Sequence, residues 1–168
     1  MNRRPDPVLL WIACFWLLVL GGGWWFADDW MTSQANPNRQ PTITTKGEVV
    51  LKRSRDDHYL AGGEINGHSV VFMVDTGATE VALSSALARK LGLPHGEEIL
   101  LNTANGTATG FKTRLATVHL GTIEMHNVNA VFSQQMMDNV VLLGMSFLKH
   151  LEFTQREDRL FLYAPRVE

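Results

Sequence analysis

The sequence predicts a mainly β lobe with one or two short helices, preceded by a transmembrane helix. Three observations carry this expectation. A stretch of 21 residues from Pro7 to Ala27 holds no charge. From Lys46 onward, short apolar runs rich in β-branched residues alternate with turn residues. Helical periodicity is confined beyond that point to two short segments, Ala86–Leu91 and Phe147–Leu151.

The uncharged stretch comes first. As a helix it is about 30 Å long, enough to cross a hydrocarbon core. Trp24, Trp25 and Trp30 cluster near its far end, as an aromatic belt does. Arg3 and Arg4 precede it, and Asp28 and Asp29 follow, which puts the N-terminus in the cytoplasm by the positive-inside rule. A cleaved signal peptide fits less well, because the stretch is long and ends in Trp rather than in small residues. Residues 1–27 are therefore read as a cytoplasmic tip and transmembrane helix. Residues 28–45, polar and carrying Pro37 and Pro41, are read as a linker without regular structure. Residues 46–168 are read as the globular domain.

Within that domain Glu48–Lys52 and His58–Ile65 read as strands. Asn66-Gly67 signals a tight hairpin into the run Val70-Val71-Phe72-Met73-Val74. Ser84 or Ser85 caps the helix over Ala86–Leu91, which Gly92 and Pro94 end. Glu98–Leu101 and Phe111–Leu120 read as strands around a polar connector, Asn102–Gly110. Ile123–Phe132 continues the β pattern. An apolar strand ends at Gly144, a short helix covers Phe147–Leu151, and Leu160–Tyr163 is the last strand.

Composition excludes several functions. The formal charge of -2 on 168 residues shows no basic stripe, so no nucleic acid is expected as a partner. A single cysteine, Cys14, forbids an intrachain disulfide. No Cys/His cluster has zinc spacing, and no metal or other cofactor is expected. The six histidines are scattered and read as surface or packing residues.

One carboxylate stands out. Asp75 follows an apolar strand directly and is itself followed by Thr76, Gly77 and Ala78. Asp is depleted in strands and rarely buried without a partner. An isolated Asp-Thr-Gly often does no more than start a turn. Far downstream stands Leu142-Leu143-Gly144, at the end of an apolar run leading into a helical pattern.

In this order and at this distance, Asp75-Thr76-Gly77-Ala78 and Leu142-Leu143-Gly144 resemble the motifs of the retropepsin-like aspartic proteases. The resemblance covers roughly Lys46 to Ala164 and implies a closed β-barrel lobe. By the same resemblance Asp75 is the catalytic residue, and Gly77 lets the backbone turn closely beneath the carboxylate. The Thr76 hydroxyl would bond across a dimer, and Leu142, Leu143 and Gly144 would support the active loop. Ala78 stands where some relatives carry Ser; without that hydroxyl to stabilise the ionised form, work nearer neutral pH is expected. The connector with Asn105, Gly106 and Thr107 matches, by order, the hairpin that lies over substrate as a flap.

The chemistry requires two carboxylates, one ionised to take a proton from water and one protonated to polarise the carbonyl. The chain holds one Asp-Thr-Gly; Asp56-Asp57 and Asp28-Asp29 lack the Thr/Ser-Gly that should follow. The second carboxylate is then Asp75 of another copy, in a two-fold homodimer. The resulting expectation is a membrane-anchored endopeptidase acting on a peptide or protein substrate. The resemblance is to bacterial members, which places the lobe in the periplasm and the anchor in the inner membrane of a Gram-negative host. The alternatives are a catalytically weak peptide-binding module of the same fold, and a structural membrane protein in which Asp75 only makes a turn.

Overall fold

A computed structural model describes residues 16–21, 36–103 and 106–163. The expected span at Pro7–Ala27 lies outside the described residues except for 16–21, which are helical. Among the described residues no helix is long and apolar enough to cross a membrane.

The lobe is mainly β, as the sequence predicts. Its elements are β1 (Thr42–Ile43), β2 (Val49–Lys52), β3 (Leu60–Ile65), β4 (His68–Val74), β5 (Val81–Ser84), α1 (Ser85–Lys90), β6 (Glu98–Thr103), β7 (Gly106–Leu120), β8 (Ile123–Ser133), β9 (Val141–Leu143), α2 (Met145–Leu148), β10 (Glu152–Arg156) and β11 (Arg159–Tyr163). Seven strands form one sheet in the order β3-β4-β9-β5-β8-β7-β6. In addition β7 pairs with β3 through Glu64↔His119 and Ile65↔Val118. A separate sheet, β1-β2-β11-β10, joins the two ends of the lobe. The short β3–β7 pairing links the first strand of the seven-stranded order back to its sixth.

Local chemistry explains most boundaries. Asn66 and Gly67 both take positive φ, 51° and 78°, as the tight β3–β4 turn requires. Ser84, in extended backbone, accepts the Leu87 N–H at 3.1 Å and so caps α1. The core gathers Phe72, Leu83, Leu115, Phe132, Leu143 and Phe147, all essentially inaccessible. Each such large side chain contributes about 2–3 kcal/mol of burial. His95 packs its ring against Phe132, with centroids 4.8 Å apart, in line with its reading as a packing residue.

Four segments depart from the sequence reading. The compact unit begins at Asn36, inside the stretch read as linker. Asn38 is the cause: it is 4% exposed, and its amide donates to the Lys52 and Leu60 carbonyls at 2.8 and 2.6 Å. Its side-chain oxygen accepts the Lys52 N–H at 2.7 Å, so one polar side chain stitches the arm to β2 and β3. The connector Asn102–Gly110 is mostly ladder, with Asn102↔Thr107 and Thr103↔Gly106 in register. Its small residues Ala108 and Gly110 are buried, and a Cβ on Gly110 would stand 2.5 Å from Leu101 Cδ1. Finally, β5 and β10 were absent from the sequence reading. The first is a four-residue strand buried throughout, and the second a wholly exposed edge strand.

Candidate active site

Asp75 stands where β4 runs out. The strand is held there by two neighbours. On one side it pairs in parallel with β9, matching Met73 to Leu142 and Val74 to Leu143. On the other, the Val74 N–H donates to the Tyr59 carbonyl at 2.9 Å. The Asp75 N–H donates to the Leu143 carbonyl at 3.2 Å, extending the β9 pairing by one residue. The Asp75 backbone is thereby fixed by residues that sit in the core.

The loop beyond is a tight turn. The Ala78 N–H closes it on the Asp75 carbonyl at 3.3 Å. The Gly77 N–H donates to Asp75 Oδ1 at 2.8 Å, a charge-assisted bond that orients the carboxylate. A Cβ on Gly77 would stand 3.2 Å from that same oxygen, so the glycine keeps the carboxylate free of crowding. Asp75 remains half-buried, while Thr76 and Gly77 face solvent. Thr76 also borders a cavity of 250 Å³, shared with Phe153 and Gln155 of β10.

The return limb, Ala78 to Val81, is held by the segment that follows β9. The Met145 N–H donates to the Ala78 carbonyl at 2.8 Å, and the Ser146 N–H to the Thr79 carbonyl at 2.9 Å. The Ser146 hydroxyl accepts the Val81 N–H at 3.0 Å and donates to the Asn129 carbonyl at 2.8 Å. Gly144 lies directly beneath the limb, so close that a Cβ there would overlap the Glu80 carbonyl oxygen. The two motifs distant in sequence therefore form one unit, with Leu142 and Leu143 beside the outgoing limb and Gly144 beneath the returning one.

The remaining expected site residues are placed apart from this unit. Asn105 lies outside the described residues, and Gly106 and Thr107 open β7 opposite Thr103 and Asn102. Among the described residues no hydrogen bond joins Gly106 or Thr107 to the Asp75 loop. The base of their hairpin is tied by Lys112 Nζ to Glu97 at 2.7 Å; this bond raises the lysine pKa and lowers that of the carboxyl. The pair is exposed and screened, so it orients the hairpin more than it stabilises it. Asp56 and Asp57 occupy the turn before β3, with Asp57 paired to Arg53 at 3.4 Å. Among the described residues no group of three His, Cys, Asp or Glu is placed to hold a metal ion. Ser146 was missed by the sequence reading; its only local signal is a hydroxyl residue two places after the motif glycine.

Comparison with known proteins agrees with this architecture. The family described as gag-polyprotein putative aspartyl protease matches residues 61–150, more than half of the chain. An uncharacterized protein from the cobV 5′ region of Sinorhizobium sp is 34% identical over 133 residues. That match takes in 75% of this chain, which spans only 57% of the relative's length. A second uncharacterized protein, from Rickettsia prowazekii (strain Madrid E), is 30% identical over 171 residues, covering 96% of this chain and 72% of its own. Among solved structures, a retropepsin-like aspartic protease from Rickettsia conorii superposes with a TM-score of 0.58 and 32% identity. It matches 73% of this chain and 94% of the Rickettsia conorii chain. With the Asp-Thr-Gly loop seated on the Leu-Leu-Gly segment of such a fold, the chain belongs to the retropepsin-like aspartic protease family.

Proposed function

We propose that the chain is a membrane-anchored aspartic endopeptidase in which Asp75 is the catalytic residue of each copy in a homodimer. The observation that carries this reading is the fixation of Asp75. Its backbone is tied to β9, its carboxylate is oriented by Gly77, and the loop's return limb is braced by the residues after Gly144. A carboxylate that only started a turn would need none of that bracing.

The reaction follows from two such loops meeting on a two-fold axis. Carboxylates about 3 Å apart hold one proton between them, as aspartic protease pairs are known to do. The ionised member takes a proton from a water molecule, whose oxygen attacks the peptide carbonyl carbon. The protonated member hydrogen-bonds the carbonyl oxygen and stabilises the charge that develops there. Collapse of the tetrahedral intermediate breaks the C–N bond, and a proton passes to the departing amine. The exposure of Thr76 at the loop tip supports a bond across the dimer, and the β6–β7 hairpin with Asn105, Gly106 and Thr107 is proposed to cover the peptide.

Dimerisation gives a direct test. Specific activity of a fragment from Asn36 to Glu168 is expected to fall on dilution below its dimer dissociation constant. The fragment starts at Asn36 because Asn38 is built into the lobe. The anchored protein should lose less activity, since confinement to two dimensions raises the effective concentration of copies. Sedimentation of the same samples settles the matter: a fully active monomer rules out a shared dyad.

The anchor gives a second test. The cationic Arg3 and Arg4 before Pro7–Ala27 and the acidic Asp28 and Asp29 after it favour a cytoplasmic N-terminus and a lobe across the inner membrane, in the periplasm. A reporter fused after Glu168 should be active only when exported. A reporter active in the cytoplasm overturns this topology and leaves the chemistry of the lobe untouched.

A further inference from the structure

We infer that Ser146 is a positioning residue for the Asp75 loop: its hydroxyl latches the return limb to β8, and this latch sets the placement of the carboxylate. The inference rests on the reading of Asp75 given above. The outgoing limb is tied by backbone groups alone, the Val74 and Asp75 N–H bonds to the Tyr59 and Leu143 carbonyls. The return limb relies in addition on a side chain. Ser146 Oγ takes the Val81 N–H at 3.0 Å and gives its proton to the Asn129 carbonyl at 2.8 Å. One hydroxyl thereby uses its donor and an acceptor site together, joining three segments that are distant in sequence.

The two ends of this latch differ in what happens when it is lost. Asn129 is exposed and borders an open recess of 380 Å³, so water can replace the hydroxyl at its carbonyl. Val81 is 0% exposed and starts β5, so its N–H loses this bond away from solvent. The limb must then shift to regain one. That limb is joined to Asp75 through the Ala78 N–H bond that closes the turn, so a shift there is passed to the carboxylate. The β6–β7 hairpin proposed to cover the peptide contributes no residue to this latch. The latch therefore acts on the chemical step and leaves binding alone.

The test uses the full-length chain in detergent and two variants. Ser146→Ala is expected to lower kcat about tenfold, on the scale that small misplacements of a reacting group cost, with KM within about twofold of wild type. Amide exchange at Val81 should quicken about tenfold in the same variant. Ser146→Thr keeps the γ-hydroxyl, and its methyl has the open recess to occupy, so both properties should return towards wild type. Should Ser146→Ala fail to fold, Ser146→Cys, with its weak hydrogen bonding, takes its place.

Wild-type kcat together with unchanged Val81 exchange overturns the inference. So does an activity loss that only tracks the loss of folded protein and that Ser146→Thr does not repair. If the wild-type chain itself cleaves nothing in an Asp75-dependent way, the functional reading is at fault. Val81 exchange then still decides whether the hydroxyl holds the loop, and unchanged exchange refutes the latch by itself.

Discussion

Asp75→Asn is expected to lower peptide hydrolysis by about 10³-fold or more, the range that general acid–base groups supply, while leaving the fold intact. Asn presents a carbonyl oxygen where Oδ1 now accepts the Gly77 N–H, so the turn keeps that bond. The backbone ties of Asp75 to Leu143 and of Ala78 to Asp75 involve no side-chain atom and are unaffected. What Asn lacks is a proton that can be shared and returned. Turnover, thermal unfolding and peptide affinity should be measured on one preparation free of wild-type protein. Loss of turnover with unchanged unfolding and retained affinity supports the aspartic mechanism. Wild-type turnover in the Asn variant excludes it, and an unfolded variant assigns Asp75 to structure. Excess Asn variant added to wild type should also suppress activity wherever subunits exchange, because mixed dimers hold only one competent carboxylate.

The sequence carried the Asp75 turn because everything that makes it is local. An apolar run stops, a carboxylate follows, and Gly77 permits the turn within two residues. The motif Leu142-Leu143-Gly144 was legible for the same reason, as an apolar run ended by glycine. Their union was legible only through resemblance. That β9 inserts between β4 and β5 depends on a parallel pairing, Val74↔Leu143, between residues far apart in the chain. No local periodicity encodes such a register. The strand β5 was missed because Val81-Ala82-Leu83 is too short to separate from the helix that starts at Ser85. Asn38 was missed because one buried amide inside a polar, Pro-bearing stretch looks like any other linker residue. The ladder within the connector Asn102–Gly110 was hidden by its polar residues, while Gly110 is small because a Cβ there would stand 2.5 Å from Leu101 Cδ1 on the buried face of β7. Ser146 combines both difficulties, being a common residue whose three partners lie in two distant segments.

Gly144→Ala should destabilise the lobe by about 3 kcal/mol or more, at the upper end of what overpacking costs. The cause is space, since the backbone conformation is ordinary. Gly144 has φ -86° and ψ -173°, an extended conformation that alanine adopts freely. A methyl group there would overlap the Glu80 carbonyl oxygen and stand 2.7 Å from both the Glu80 carbonyl carbon and the Ala78 carbonyl oxygen. These are backbone atoms and cannot swing aside as the end of a side chain can. The Ala78 oxygen is also engaged by the Met145 N–H at 2.8 Å, so moving the limb breaks the bracing of the Asp75 loop. Domains are stable by only about 5–15 kcal/mol, so the unfolding midpoint should drop by roughly 10 °C. Activity should fall further than stability alone accounts for, because the limb that shifts is the one carrying the turn. Gly67→Ala is the control. Gly67 has φ 78° with nothing near its would-be Cβ, so alanine there costs only about 1 kcal/mol of left-handed backbone strain. Denaturant unfolding and turnover of the two variants at matched folded concentration separate the effects. A Gly144→Ala protein with a wild-type midpoint and wild-type turnover would mean that the loop and the Leu-Leu-Gly segment are not in contact in solution. Bracing of Asp75 would then have to come from the β4–β9 pairing alone.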